Sequence, residues 1–455
     1  MGAPADTLRR LAHAWRNKGW LRPYRSASKL AIGRGAQGLL QLAAAAIAAQ
    51  ALGASGFGML VLINGSRQLI GGITKLRSKH VIMRYGARAL ESGDRERFRH
   101  VLGFSLWIDI VSAVVAAVAI LALMGQAVIW LNMPPELVST ARLFGLCAVV
   151  IALSTSAEAL LQLMDRFALI SIHQVIAPAA HVAGGAVALS FGQGLTTFVA
   201  VWFLGIVLSR LWLIGCALYV LHQRGDLAGF RLRRTHLSAP ESGVWRFLFG
   251  ANASEATTQV RTHAIVLIVA ALLNPAAAGL LRVAQQLGRL PGRPTGKILA
   301  PAIFPELARQ TAAAKHRKRR KTMERSGLIA GGIGITLFAV LVGFGETLLV
   351  RVFGPEFAPA YTVMLLFGAG GFVQILSFSM GPLLISAGRV GIVVTARAAG
   401  TALQIGAMLV IIPHIGLVGA ALAEVMGLVV TNAVLLYWVR RELRSPSDFT
   451  APRSA

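Results

Sequence analysis

The connections between the apolar runs of this chain alternate between basic and nearly uncharged, and no other feature restricts the fold as much. Apolar runs of about 20 residues are long enough to cross a bilayer as helices. They fall near 30–51, 57–78, 101–124, 139–163, 167–190, 195–221, 245–272, 276–304, 326–350, 359–381, 390–412 and 415–439. Outside them, Lys and Arg occupy the N-terminal tail, the even-numbered connections and the C-terminal tail, and Arg351 alone breaks the alternation. Positive charge is retained on the cytoplasmic side of a membrane, so both termini are expected in the cytoplasm. The expected fold is all-α and polytopic, with about 12 transmembrane helices.

Composition enters as a check. A chain that is 55% hydrophobic and 14% charged lacks the polar residues to cover a soluble globule of 455 residues. Its formal charge of +27 is spread over short connections that topology already explains, so no nucleic-acid partner is expected. The densest basic run, KHRKRRK at 315–321, suits anionic headgroups of the inner leaflet. Cys147 and Cys216 fall inside spans, which argues against a disulfide framework or a zinc site. Residues 1–29 carry seven Lys or Arg and lack a short apolar core followed by a small-residue cleavage site, so no removable signal peptide is expected.

The outward connections are too short to hold a catalytic domain, and the first of them, LGASGFG, has no acid. Walker, HExxH, GxSxG and paired Cys/His patterns are absent from the sequence. The chain is therefore read as no enzyme, with no catalytic residues, no metal and no cofactor.

The sequence also repeats. ALGASGFGML at 51 aligned with LLNPAAAGLL at 272 puts Gly58 opposite Gly279, an offset of 221 that also carries Pro134 onto Pro355. Arg166 meets Arg389 and Gly194-Leu195 meets Gly416-Leu417 at offsets of 223 and 222. Two six-helix halves of the same orientation follow, a transporter plan with its substrate site near mid-membrane. The organisation reads as a cytoplasmic tail at 1–29, an N-lobe at 30–221, a cytoplasmic loop at 222–244, a C-lobe at 245–439 and a cytoplasmic tail at 440–455.

Polar residues inside the spans are arranged in stripes. Asn64, Arg67, Gln68, Gly71, Lys75 and Ser78 share one face of span two, and Arg282, Gln285, Gln286, Arg289, Arg293 and Lys297 share one face of span eight. Spans two and eight are equivalent under the repeat. Span one adds Arg34, Gln37 and Gln41, and span seven adds Asn252, Glu255, Gln259 and His263, with Arg261 on another face. An arginine at a span centre costs about 2.5–3.5 kcal/mol, and five facing lipid would cost on the order of 15 kcal/mol. They must meet protein or water.

Two readings stay open for these charges. Arg34, Lys75, Arg77 and Lys297 lie close enough to a cytoplasmic end to snorkel. Arg67, Arg261 and Arg289 are about ten or more residues from either end, where snorkelling fails. Glu255 could neutralise Arg293, and Asp109, Glu158, Arg210, Glu424, His173 and His181 could each be structural pairs. The functional reading is one cationic cavity suited to a diphosphate, with amides for sugar hydroxyls.

LGASGFGML, NPAAAGLL, PAIFPELA, FGPEFAPAYTVMLL and IGLVGAALAEV, in that order over about residues 28–440, resemble the Wzx-type polysaccharide flippases of the multidrug/oligosaccharidyl-lipid/polysaccharide (MOP) superfamily. The resemblance implies two MATE-like six-helix lobes in the bacterial inner membrane that open alternately to either side. It also implies a flippase carrying a polyprenyl-diphosphate-linked oligosaccharide outward for surface polysaccharide biosynthesis, with the polymerase and chain-length machinery as further partners. Substrate contacts are then expected from Arg34, Gln37, Arg67, Gln68, Lys75, Arg261, Arg282, Gln286, Arg289 and Arg293. Family analogy adds coupling to H⁺ or Na⁺, with Glu255, Asp109 and Glu424 as the candidate acids. Two departures bear on this reading. The two further C-terminal helices of MurJ-type lipid II flippases have no counterpart after the twelfth span, and spans one and two have none of the carboxylates typical of MATE exporters. An ion-coupled exporter of small molecules and a membrane scaffold for glycan assembly remain the alternatives.

Cysteines introduced at Ser55, Gln193 and Ala276 should react with an impermeant thiol reagent added outside intact cells, and ones at Ser92, Ala239 and Ala313 should not. Reversed labelling would invert the topology.

Overall fold

The computed structural model describes residues 22–226, 230, 232, 237–292, 316–377, 380–386 and 389–444. Every regular element among them is helical. In order these are α1 (Arg22–Thr74), α2 (Ser78–Val81), a π turn (Ile82–Gly86), α3 (Ala87–Glu91), α4 (Arg95–Trp130), α5 (Leu137–Gly145), α6 (Cys147–Leu153), α7 (Thr155–Leu163), α8 (Phe167–Ser190) and α9 (Leu195–Gln223). There follow α10 (Val244–Leu272), α11 (Pro275–Gly288), α12 (His316–Phe353), a 3-10 turn (Pro355–Phe357), α13 (Ala360–Ser377), α14 (Met380–Ser386), α15 (Val390–Ile415) and α16 (Leu417–Arg444). Hydrocarbon offers no partner to an unbonded peptide group, so an apolar chain in it closes its hydrogen bonds within helices. Among the described residues eight helices are long and apolar enough to cross a membrane, and Thr262–Leu272 and Ala360–Ile375 are shorter apolar stretches. The chain is an all-α, multi-pass membrane protein.

Two expected boundaries look different in the structure. Spans one and two lie within α1 as two helical stretches that meet at Gly53, a single non-helical residue where a five-residue connection is expected. Gly53 has φ 64° and ψ −177°, a conformation open to glycine because it has no Cβ. The end of span two, by contrast, is not helical: Lys75–Arg77 break the chain before α2. Span four is segmented at Leu146 and Ser154 into α5, α6 and α7.

The chain forms two compact units. The first comprises residues up to Ala51, Ser66–Ile129 and Pro134–Val260; the second comprises Leu52–Gly65, Trp130–Met133 and Arg261 onward. The division thus falls within α10, beyond the 222–244 loop where the sequence suggests a lobe boundary. Leu52–Gly65 goes with the second unit for a steric reason. A Cβ on Gly58 would collide with the Pro275 carbonyl, and one on Gly279 would sit 2.6 Å from the Ala54 carbonyl. Backbone-to-backbone approach of this kind needs small residues and is a main source of helix adhesion in membranes.

Within the first unit α8 packs along α9, and α7 packs on both. Phe98, Leu102, Leu160 and Leu221 form one buried cluster there, and Phe104, Ile108, Val244 and Leu248 another. Arg97 and Arg88 both pair with Glu241. Within the second unit α15 packs along α16, and α13 lies against α11, α12 and α16. At the crossing of α15 and α16, a Cβ on Gly427 would come within 2.6 Å of the Gly400 carbonyl.

Gly58→Val should therefore destabilise the purified protein by about 1–3 kcal/mol or more, the cost of forcing bulk into a packed contact. Gly38→Ala, at a site with nothing within 4 Å, should be tolerated. Melting temperature in detergent or nanodiscs distinguishes the two outcomes.

Candidate functional site

Intramembrane polar residues gather in two places, one in each unit. In the first unit they surround the break at Lys75–Arg77. A break inside a membrane protein exposes peptide groups that need new partners. The Leu76 N–H donates to Ser112 Oγ at 3.0 Å, and the Arg77 N–H donates to Asn252 Oδ1 at 2.9 Å. Lys75 Nζ lies 3.5 Å from the Ile151 carbonyl.

Asp109 on α4 completes this arrangement. One carboxylate oxygen accepts from Ser78 Oγ at 2.6 Å and the other from the Ser156 N–H at 2.8 Å. Ser78 opens α2 and Ser156 lies in the first turn of α7, so one buried anion serves two helix N-termini, where the dipole favours negative charge. Beside it Lys79 and Glu158 form a half-buried pair at 2.8 Å. Histidines on α8 have backbone partners: His173 Nδ1 is 2.8 Å from the Ser209 carbonyl, and the His181 ring stacks on Trp202 with centroids 4.5 Å apart.

In the second unit Arg289, just after α11, points at Glu424 on α16. Both contacts come from one nitrogen, Nη2, at 2.8 Å to Oε1 and 2.6 Å to Oε2. The guanidinium also lies over Phe367, 5.5 Å from the ring centroid. This pair forms part of the wall of a cavity of about 690 Å³, counting the space at its mouth, together with Phe367, Thr262, Gln374 and Gln404. Gly370 and Gly371 form the adjoining stretch of α13.

The expected site residues separate by environment. Arg67 is buried in the first unit, 7% exposed, with its guanidinium 5.6 Å from the Phe144 ring centroid. Gln68 and Lys75 are half-buried in the same unit, and Arg34 is exposed with Gln37 half-buried beside it. On α11 of the second unit Arg282 is exposed and Gln286 half-buried. Arg293 and the side chains of Arg261 and Glu255 lie outside the described residues. Of the candidate acids, Asp109 is held by Ser78 and Ser156, and Glu424 by Arg289. Asn252, expected on a cavity stripe, accepts a backbone hydrogen bond instead.

Gln374 and Gln404 are absent from the expectations. Each is one amide on a largely apolar span, and nothing in the local sequence tells it from a packing residue. Gln285, on the expected stripe, is 4% exposed, and its Nε2 has no partner among the described residues.

The helices of the two units follow the MATE-like fold. Solved structures of that fold align over nearly the whole chain. An inward-facing multidrug resistance MATE family transporter of the MOP superfamily matches with a TM-score of 0.75 at 15% identity, over 91% of this chain and 96% of that one. The lipid II flippase MurJ in an inward closed conformation gives 0.67 at 10% identity, over 90% and 87%. A MOP superfamily transporter from Pyrococcus furiosus, described as having a binding pocket of reversed polarity, gives 0.62 at 15% identity over 93% and 95%. At the level of sequence, the model of a family described as polysaccharide biosynthesis protein matches residues 94–362. The chain belongs to that family. Inner membrane protein YghQ of Escherichia coli (strain K12) is 28% identical over 329 residues, 72% of this chain and 91% of that protein.

Removing one partner of a half-buried pair leaves the other without its counter-ion. Arg289→Ala and Glu424→Ala should each destabilise by about 1–3 kcal/mol, and the double variant by less than their sum. Asp109→Ala, which strands donors at two helix starts, should cost about 2–4 kcal/mol. Unfolding of the purified variants in nanodiscs measures both; additive effects at Arg289 and Glu424 would contradict the pairing.

Proposed function

We propose that the chain is a flippase that moves a polyprenyl-diphosphate-linked oligosaccharide from the inner to the outer leaflet of the inner membrane for surface polysaccharide assembly. The observation that carries this reading is Arg282. It is exposed midway along α11, a helix whose Leu281, Val283, Ala284, Gln285 and Leu287 are buried. An arginine turned to hydrocarbon is costly, so its charge is drawn to protein partners, headgroups or water. Arg34, near the cytoplasmic end of span one, is exposed as well.

An intramembrane guanidinium repels a cationic drug and matches the oxygens of a diphosphate, which it can contact through two parallel N–H groups. Family membership supplies the process, and the name of the Escherichia coli relative supplies the membrane. Arg34 and Arg282 then meet the diphosphate during alternating access. Arg67, buried against Phe144, supports the first unit from within. Coupling to H⁺ or Na⁺ at Asp109 or Glu424 would require the cation to displace donors those carboxylates already hold. The polymerase and chain-length machinery would act on the product at the outer face.

Deletion should leave the lipid-linked oligosaccharide made but stranded on the inner face, with surface polysaccharide lost. Arg34→Ala and Arg282→Ala should lower export by roughly tenfold or more at normal protein level, and Lys at either position should restore it in part. Mass spectrometry of extracted lipids, with probing of the outer face, reads both effects. Delivery of the intermediate to the outer face at the normal rate in the deletion strain would sink the proposal.

A further inference from the structure

The cavity of the second unit carries an assignment of its own. Its wall combines a carboxamide at Gln404, a second at Gln374, the Arg289–Glu424 pair, the Thr262 hydroxyl and the face of Phe367. Gln404 is 6% exposed, and its Nε2 is buried without a hydrogen-bond partner among the described residues. A buried amide left without an acceptor is destabilising, and such groups ask for an explanation. Here the amide belongs to the wall of a cavity that it shares with other polar side chains.

The chemistry of the wall selects the ligand class. Arg289 uses only Nη2 toward Glu424, so Nε and Nη1 take no part in that pairing, while the Glu424 oxygens retain lone pairs beyond those Nη2 engages. The pair offers donors and acceptors side by side at no net charge. A diphosphate prefers uncompensated cations, and an apolar chain would leave the Gln404 amide unpaired. A sugar ring brings neighbouring donors and acceptors in its hydroxyls, which the amides and the Arg289–Glu424 pair can meet.

We propose that this cavity is a saccharide-recognition subsite, in which Gln404 and Gln374 read hydroxyls of the transported glycan and the Arg289–Glu424 pair contributes to both sides of that hydrogen-bond network. The assignment rests on the flippase reading, since it supplies the sugar half of the same substrate, and it separates glycan recognition from the diphosphate contacts at Arg34 and Arg282.

The test compares two ligands on the full chain in nanodiscs: undecaprenyl diphosphate, and the lipid-linked oligosaccharide extracted from cells lacking this protein. Native protein should bind the glycan-bearing lipid more tightly. Gln404→Ala and Gln374→Ala should each weaken that binding by roughly tenfold, the loss of about one hydrogen bond, and leave undecaprenyl diphosphate binding unchanged. Unchanged binding of the bare lipid also shows that each variant is folded. Equal affinity of native protein for both lipids would overturn the subsite and leave the diphosphate reading standing. Equal weakening of both lipids in the variants would make the amides structural and overturn the subsite as well. Binding of neither lipid by native protein would overturn the flippase reading, and the subsite with it.

Discussion

Hydrocarbon supplies no hydrogen bonds, and two interruptions of helices in this protein are matched by side chains that supply them. The Lys75–Arg77 break has Ser112 and Asn252 for its amides, and the helices that start beside it share Asp109. The kink at Gly53 is answered by Glu356, whose carboxylate accepts from the Ala54 N–H at 2.7 Å. Phe57 and Phe357 close edge to face beside it, with centroids 6.0 Å apart. In both cases an acid from a distant part of the chain sits at the start of a helix, where an anion is most stable. Three of the family-like motifs, LGASGFGML, NPAAAGLL and FGPEFAPAY, thereby acquire a common physical basis. They are the parts of one packed junction within the second unit.

How much of this could be read from the sequence depends on the range of the interaction. The spans were legible because their period and length are local properties, and each of the twelve apolar runs falls at least in part on a described helix. The kink at Gly53 lies where the sequence places the connection between spans one and two; only its brevity is not legible, because one glycine suffices there when a distant acid accepts the next amide. The break at Lys75 was invisible for the same reason, since the residues that stabilise it lie 36 and 175 positions away. Charge stripes were legible as stripes. Their division into buried and exposed members was not, because Arg67 and Arg282 look alike on a helical wheel and differ only in what packs against them.

Pairing was the least legible layer. Glu424 reads as an isolated acid on an apolar span, and its partner Arg289 lies 135 residues earlier. The stripe that groups Arg289 with Arg282 and Gln286 treats them as equivalent ligands, whereas the fold gives Arg289 a carboxylate and leaves Arg282 exposed. Gln404 and Gln374 were missed because a single amide in a span carries no periodic signal. What distinguishes Gln404 is a buried nitrogen without an acceptor, which is a property of the folded surroundings.

These environments imply a division of labour among intramembrane charges. An ion held by several protein donors, such as Asp109, is fixed by geometry and would lose structure if drawn into ligand exchange. An ion with one counter-ion in a polar cavity, such as Arg289 with Glu424, is neutral as a pair and polar in detail, which suits discrimination among uncharged hydroxyls. An exposed arginine within an apolar helix, such as Arg282, is open to a mobile anion in a way that a buried one is not. A carrier of an amphiphile with a diphosphate and a glycan requires the second and third kinds to be separate, because one site strong enough to hold the diphosphate would mask the weaker energies by which sugars are told apart. The separation also allows release. Roughly one hydrogen bond's worth of sugar discrimination, about 0.5–1.5 kcal/mol each, adds selectivity without adding a tight electrostatic trap.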